Sequence, residues 1–322
     1  MADGFATPVE TPLFDRLSII GLGLIGSSIA RVAHQRKLAR SLIAYDSSTN
    51  VRRRVAELGF ADKIAETAEA AVRDADLVIL CVPVGAIGEV ARAIAPHLRS
   101  GAILSDVGSV KESVIADAAP ALPKGVHFVP AHPVAGTEQS GPDAGFATLF
   151  RHRWCILTPP AGTDPKAVEK LAAFWTAAGA SVEIMTPAHH DLVLAITSHV
   201  PHLIAYNIVG TAEHLEQVTQ SEVIKYSAGG FRDFTRIAAS DPTMWRDVFL
   251  NNKDAVLEML GRFTEDLAAL QRMIRYGDGK GLFDLFTRTR AIRRGIIDQG
   301  QETAAPDFGR KHDEADGDEG DQ

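Results

Sequence analysis

Six residues, GLGLIG at positions 21–26, constrain this chain more than any others. Gly21, Gly23 and Gly26 form a G-x-G-x-x-G directly after the apolar run LSII and directly before the amphipathic pattern SSIARVAHQRKL. The first glycine permits a tight turn, the second lets a pyrophosphate approach the backbone, and the third lets helix pack on strand. The backbone of Leu24 and Ile25 then opens a helix whose N-terminus faces the phosphates. Context turns a common motif into a specific one. The next apolar run, SLIAYD, ends in Asp46, 20 residues past Gly26, where a carboxylate accepts hydrogen bonds from the adenosine ribose hydroxyls. That position favours NAD over NADP. Arg52, Arg53 and Arg54 follow closely and offer a 2'-phosphate partner, but three arginines on an exposed helix read more simply as solvated charge.

The rest of the first half repeats the alternation. DLVILCVP, GAILSDVG, GVHFVPAHP and RWCILTP each close a segment after a helical pattern, and runs apolar on both faces belong to a parallel sheet covered on both sides. The expected fold class is α/β, a doubly wound Rossmann-type NAD-binding domain over residues 13–186. Past Thr186 the strands stop, and apolar residues at three and four spacing predict an all-helical domain over 187–300. Residues 301–322 read as a disordered acidic tail, because HDEADGDEGDQ holds six acidic residues and no lysine or arginine. Removing those six charges from the formal −8 leaves −2, and with no basic stripe nucleic acid is excluded as a partner. Cys81 and Cys155, the two cysteines, sit in apolar runs and predict buried free thiols in a reducing cytoplasm. No signal-peptide pattern and no apolar run of about 18 residues is apparent, so no membrane partner is expected.

Ligands of open α/β sheets bind outside the carboxyl ends of the strands. Those ends carry Pro83, then Asp106, Ser109 and Lys111, then His132 in AHPVAGTEQSG. A histidine at the nicotinamide position supplies what a hydride-transferring enzyme needs, a group to take the hydroxyl proton of its substrate. In the helical half, HHDLVLAITSHVPH brings Asp191, Ser198, His199 and His202. Ser198 and His202 share a face, while Pro201 removes a backbone donor and predicts a kink. A metal site from His189, His190, His199 and His202 is disfavoured, since no nearby glutamate completes a zinc-protease helix. Arg232 and Arg236, one turn apart in GGFRDFTRIAASDPTMW, read either as a bidentate carboxylate clamp or as partners of Asp233.

Taken in order, GLGLIGSSIA, SDVGSVK, HPVAGTEQSG, ITSHVPH and GGFRDFTRIAASDPTMW resemble the prephenate and arogenate dehydrogenase family of tyrosine biosynthesis over about residues 17–295. The resemblance implies that His132 accepts the proton of the substrate's ring hydroxyl, with Ser109 holding both histidine and hydroxyl. It implies substrate contacts from His202 and Arg236, a polar gate from Thr137 and Glu138, and a homodimer in which Trp245 approaches a neighbour's site. The implied reaction is NAD-dependent oxidative decarboxylation of prephenate to 4-hydroxyphenylpyruvate. Three alternatives stay open: arogenate as substrate, giving tyrosine directly; a 3-hydroxyacid dehydrogenase, although no lysine stands beside SHVPH; and a non-catalytic NAD-sensing protein, which would be expected to lack His132.

Overall fold

The computed structural model describes residues 7–137, 139–219 and 229–298. The acidic tail and Glu138 therefore lie outside the described residues. Two compact units divide the chain, one ending at Gly261 and the other beginning at Arg262.

The first unit opens with β1 (Phe14–Ile20), α1 (Leu24–Arg36), β2 (Ala39–Tyr45), α2 (Thr49–Leu58), β3 (Lys63–Ile64), α3 (Ala68–Val72), β4 (Leu77–Leu80), α4 (Val84–Ile94), β5 (Ile103–Asp106), α5 (Glu112–Ala118) and β6 (His127–Phe128). Six strands pair in the order β3-β2-β1-β4-β5-β6, all parallel, the doubly wound order of dinucleotide-binding sheets. Alternation along the strands explains why both faces need cover. Leu17 and Ile19 of β1, with Leu77 and Ile79 of β4, enter one core cluster, while Ile20, Val78 and Leu80 enter the other.

The sheet does not continue as the run of similar segments predicts. β7 (Ala131–Pro133), β8 (Trp154–Leu157) and β9 (Ser181–Ile184) form a separate three-stranded sheet, with β7 antiparallel to β8 and β8 parallel to β9. The ladder to β5 ends where Val129 N donates to Leu104 O at 2.9 Å, and from the next residue the chain pairs with β8 instead, the Pro130 carbonyl accepting from Thr158 N at 2.9 Å. His132 therefore stands on a strand, paired with Ile156, and not in a turn. α6 (Pro165–Ala177) joins β8 to β9 and buries Phe174 and Trp175 beneath them.

α7 (Pro187–Leu194), a π-turn (Ala195–His199) and α8 (Val200–Thr219) follow as one continuous helical run. Thr186 caps its start by accepting from His189 N, and Pro187 occupies the first turn, where a missing N–H costs nothing. The π-turn, in which Val200 N bonds five residues back to Ala195 O, ends two residues before Pro201, the position that predicted a kink. One expectation is corrected here. The run Pro187–His214 reaches a mean hydropathy of 1.5 over 18 residues, enough in length and composition for a membrane span, a test that core helices of water-soluble folds also pass. It buries His190, Asp191 and His199, all bonded to other parts of the unit. Further helices cover Gly229–Thr235, Pro242–Asn251, Lys253–Tyr276 and Gly279–Asp298. The second unit is helical throughout its described part, and leaves Ile274, Tyr276, Phe283, Phe286 and Ile292 exposed.

Candidate active site

The glycine turn has the three properties its spacing requires. Gly21 adopts φ +96°, and a Cβ there would run into the Cys81 carbonyl; a Cβ on Gly26 would run into the Gly21 carbonyl. Gly23, exposed at the N-cap of α1, faces nothing within 4 Å. Two glycines let the chain fold, and the middle one keeps a cradle open for a ligand. Leu24 and Ile25 are half-buried in the first turn above it. Asp46 closes the other wall: its carboxylate accepts from Leu22 N at 2.9 Å and Ser48 N at 2.8 Å. These residues fit a dinucleotide. The neighbouring arginines are engaged elsewhere, Arg52 with the Asp46 carbonyl at 2.7 Å, Arg53 with Asn50 at 3.2 Å, and Arg54 with Asp143 at 2.6 Å. Pro83 caps α4, exposed beyond the end of β4.

The ends of β5 and β7 meet through a buried ion pair. Lys111 Nζ contacts Asp106 at 2.5 Å and donates to the carbonyl of Ala131 at 2.7 Å, so it ties the loop after β5 to the residue before His132. Burial pushes the Asp106 carboxyl up and the Lys111 ammonium down, while their mutual attraction opposes both shifts. His132 is 8% exposed, and its Nδ1 lies 2.9 Å from His190 Nε2. His190 Nδ1 in turn lies 2.7 Å from Asp191. The Asp191 carboxylate also accepts from Lys111 N and Glu112 N, each at 2.8 Å. Desolvation holds His132 well below the usual histidine range, so its ring is neutral and able to take a proton at neutral pH. Ser109 is half-buried in the same loop, with no hydrogen bond to His132 among the described residues.

The helical run supplies the facing wall. His202 Nδ1 donates to the Ser198 carbonyl at 2.8 Å, and the His202 ring stacks on Trp245 of its own chain, with centroids 3.7 Å apart. Trp245 is buried. His202 is held below the ordinary range by burial, and the Arg236 charge lowers it further. Arg236 is exposed and opens a 3-10 turn (Arg236–Ala239) just past the helix Gly229–Thr235, whereas Arg232 pairs with Asp233 at 3.1 Å. Arg232 lies on the helix and Arg236 on the 3-10 turn that continues it, and the pairing of Arg232 with Asp233 is one of the two readings that their spacing left open. Thr137 is exposed, with its hydroxyl accepting from Gln139 N at 3.3 Å.

Several contributors escaped the sequence reading. His190 carried no assigned role although it contacts His132 directly. Asn252 donates to the Asp191 carbonyl at 2.9 Å and approaches His199 Nδ1 at 3.0 Å, from a position with no motif around it. Asp191 and Lys111 stand out in the sequence only as polar residues. The one available signal was the density of histidines in HHDLVLAITSHVPH.

Comparison with known proteins identifies the family. The family description "prephenate dehydrogenase, nucleotide-binding domain" matches residues 29–184, and "prephenate dehydrogenase, dimerization domain" matches 186–288. The chain is 45% identical to the cyclohexadienyl dehydrogenase of Zymomonas mobilis over 87% of its own length and 96% of that protein. It is 34% identical to the prephenate dehydrogenase of Bacillus subtilis over 88% and 76%. The crystal structure of Aquifex aeolicus prephenate dehydrogenase with hydroxyphenyl propionate and NAD+ superposes with a TM-score of 0.82 at 33% identity, covering 88% of this chain and 98% of that one. Synechocystis arogenate dehydrogenase gives 0.75 at 26% identity, covering 87% and 99%. The chain belongs to the prephenate dehydrogenase family, NAD-dependent oxidoreductases that join a Rossmann-type nucleotide-binding domain to a helical dimerization domain.

Proposed function

We propose that this protein converts prephenate to 4-hydroxyphenylpyruvate in tyrosine biosynthesis, with His132 as the base. The observation that carries the reading is the state of His132: a buried ring with Nδ1 engaged by His190, in a chain whose glycine turn and Asp46 fit a dinucleotide. Gly21, Gly23, Leu24, Ile25, Gly26, Asp46 and Pro83 hold the nucleotide. NAD+, when bound, takes up the hydrogen and electron pair that leave ring C4. His132 removes the C4 hydroxyl proton, with Ser109 in the adjoining loop orienting that hydroxyl. The C1–carboxylate bond then breaks, its electrons complete the aromatic ring, and carbon dioxide departs. Arg236 and His202 orient the carboxylates of the substrate, with Thr137, Glu138, Ser198 and Trp245 around them. A clamp on the departing carboxylate must hold it without tightening on the ground state, because only interactions stronger in the transition state raise the rate.

A second substrate has a specific observation in its favour. Prephenate and arogenate share the cyclohexadienyl ring, and the 45% identical relative is named for that ring and not for either acid. The discriminating experiment follows formation of reduced nicotinamide with each acid, each offered NAD+ and NADP+. Turnover of prephenate with NAD+ supports the reading; silence with both acids from a folded, nucleotide-binding protein overturns it. The exposed apolar residues of the second unit, Phe283, Phe286 and Ile292 among them, support a homodimer, which sedimentation equilibrium tests directly. Domain limits of 13–186 and 187–300 belong to the same reading, as does a cytoplasmic setting, in keeping with the free thiols of buried Cys155 and half-buried Cys81.

A further inference from the structure

Behind His132 runs a chain of buried groups whose hydrogens, with both rings kept neutral by burial, can be placed in only one way. His132 Nδ1 meets His190 Nε2 at 2.9 Å, and His190 Nδ1 meets Asp191 at 2.7 Å, with His190 and Asp191 0% and 1% exposed. Asp191 sets the direction. Its carboxylate already faces two backbone N–H groups, those of Lys111 and Glu112, which can only donate. It is therefore the acceptor for His190 as well, so the His190 hydrogen sits on Nδ1. His190 Nε2 is left with a lone pair, and His132 must donate to it through Nδ1. That assignment leaves the lone pair of His132 on Nε2, which makes no hydrogen bond among the described residues.

We propose that His190 and Asp191 are positioning residues for the reaction: they fix the tautomer and ring orientation of His132 so that Nε2 is the proton-accepting nitrogen. The inference rests on the assignment of His132 as base and adds to it the reason why that ring points one way. When Nε2 takes the substrate's proton, the ring becomes cationic and its Nδ1–H bond to His190 strengthens, while His190 leans on the Asp191 charge. The proton itself stays on His132. Other titratable groups around the ring are Lys111 and Asp106 from the β5 end, His199 from the π-turn and Cys155 on β8; Asp191 and Asp106 are its nearby acids. Asp191 has a second task. By gripping Lys111 N and Glu112 N it holds the loop that carries Ser109 at a set distance from the His132 ring, so one carboxylate registers two elements of the site. Outer groups that orient a metal-bound imidazole are commonly worth about 10-fold to 100-fold when removed, and a loss of the same order is expected here.

The test combines a spectroscopic and a kinetic arm. In nitrogen-15 histidine-labelled protein, assigned with a His132→Gln variant, His132 is expected to show a protonated Nδ1 and an unprotonated Nε2 at neutral pH. His190→Ala is expected to lower kcat about 10-fold to 100-fold with KM within about threefold. His190→Gln, whose amide can accept from His132 and donate to Asp191, is expected to recover most of that loss. A hydrogen on Nε2 of resting His132, an unchanged kcat in His190→Ala, or a His190→Gln enzyme no better than His190→Ala would each overturn the proposal. The nitrogen shifts need no substrate. Should the tautomer be as stated while neither acid is turned over, the reaction assigned to the site fails and the relay stands.

Discussion

The nucleotide turn and the histidine pocket are built on opposite principles. At residues 21–26 function depends on what is missing: two glycines avoid collisions with carbonyl oxygens, and a third leaves space. Around His132 it depends on a connected set of hydrogen bonds through Lys111, Asp106, His190, Asp191 and Asn252. A steric site fails when an atom is added. A hydrogen-bonded site fails when one is removed, or when a proton arrives in the wrong place.

The sharpest break should come from His132→Ala. Loss of the base is expected to reduce kcat by about 10²-fold to 10⁴-fold while the affinity for NAD+ stays within about twofold, read by steady-state kinetics and a nucleotide titration. Adding atoms to the turn should separate its glycines. Gly26→Ala forces α1 away from β1 and is expected to cost about 1–3 kcal/mol of stability along with nucleotide binding. Gly23→Ala should leave the melting temperature unchanged and weaken the nucleotide alone; equal thermal damage in both variants would erase the distinction. Acid probes the pocket without mutation. Burial lowers His132, His190 and His199 below the usual 6.5, with His199 pushed down to about 4. The unfolded chain therefore binds protons near 6.5 that the folded chain refuses, so their contribution is full above that pH and is lost as pH falls through the folded values. His199 alone accounts for about 3 kcal/mol by pH 4, which denaturant titrations between pH 7 and 4 would register. Smallest of these effects, Asp46→Ala should shift the NAD+ to NADP+ preference about tenfold, the value of one lost charged hydrogen bond to the ribose. An unchanged ratio would detach Asp46 from that role.

The same contrast explains what the sequence made legible. Backbone geometry leaves local marks, because only glycine tolerates φ +96° at Gly21 or contact at Gly26, so the turn and its doubly wound sheet could be read from a few adjacent letters. Strand count was harder. AHP and WCIL look like members of the main sheet, and nothing in their composition marks the separate three-stranded sheet that they form. Partnerships leave no such mark. His190 meets His132 across 58 positions and Asn252 meets Asp191 across 61, distances at which periodicity carries no information. The arginines show what spacing leaves open: a bidentate clamp and a partnership with Asp233 fit the same letters, and it is the fold that pairs Arg232 with Asp233 at 3.1 Å.

The π-turn at Ala195–His199 carries a consequence for phase. His190 and His202 are 12 positions apart, which on an uninterrupted α-helix places them roughly 120° apart around the axis. Absorbing one extra residue cuts that offset to roughly 20°, and Asp191 and His199 come into line in the same way, so that Asn252 can reach both. The turn is a vernier between two stretches of one helix, converting a mismatch in numbering into a common face. A chain shortened by one residue there could run as an unbroken α-helix and keep the offset at roughly 20°, whereas the present length without the π-turn would aim the two halves of the site roughly 120° apart.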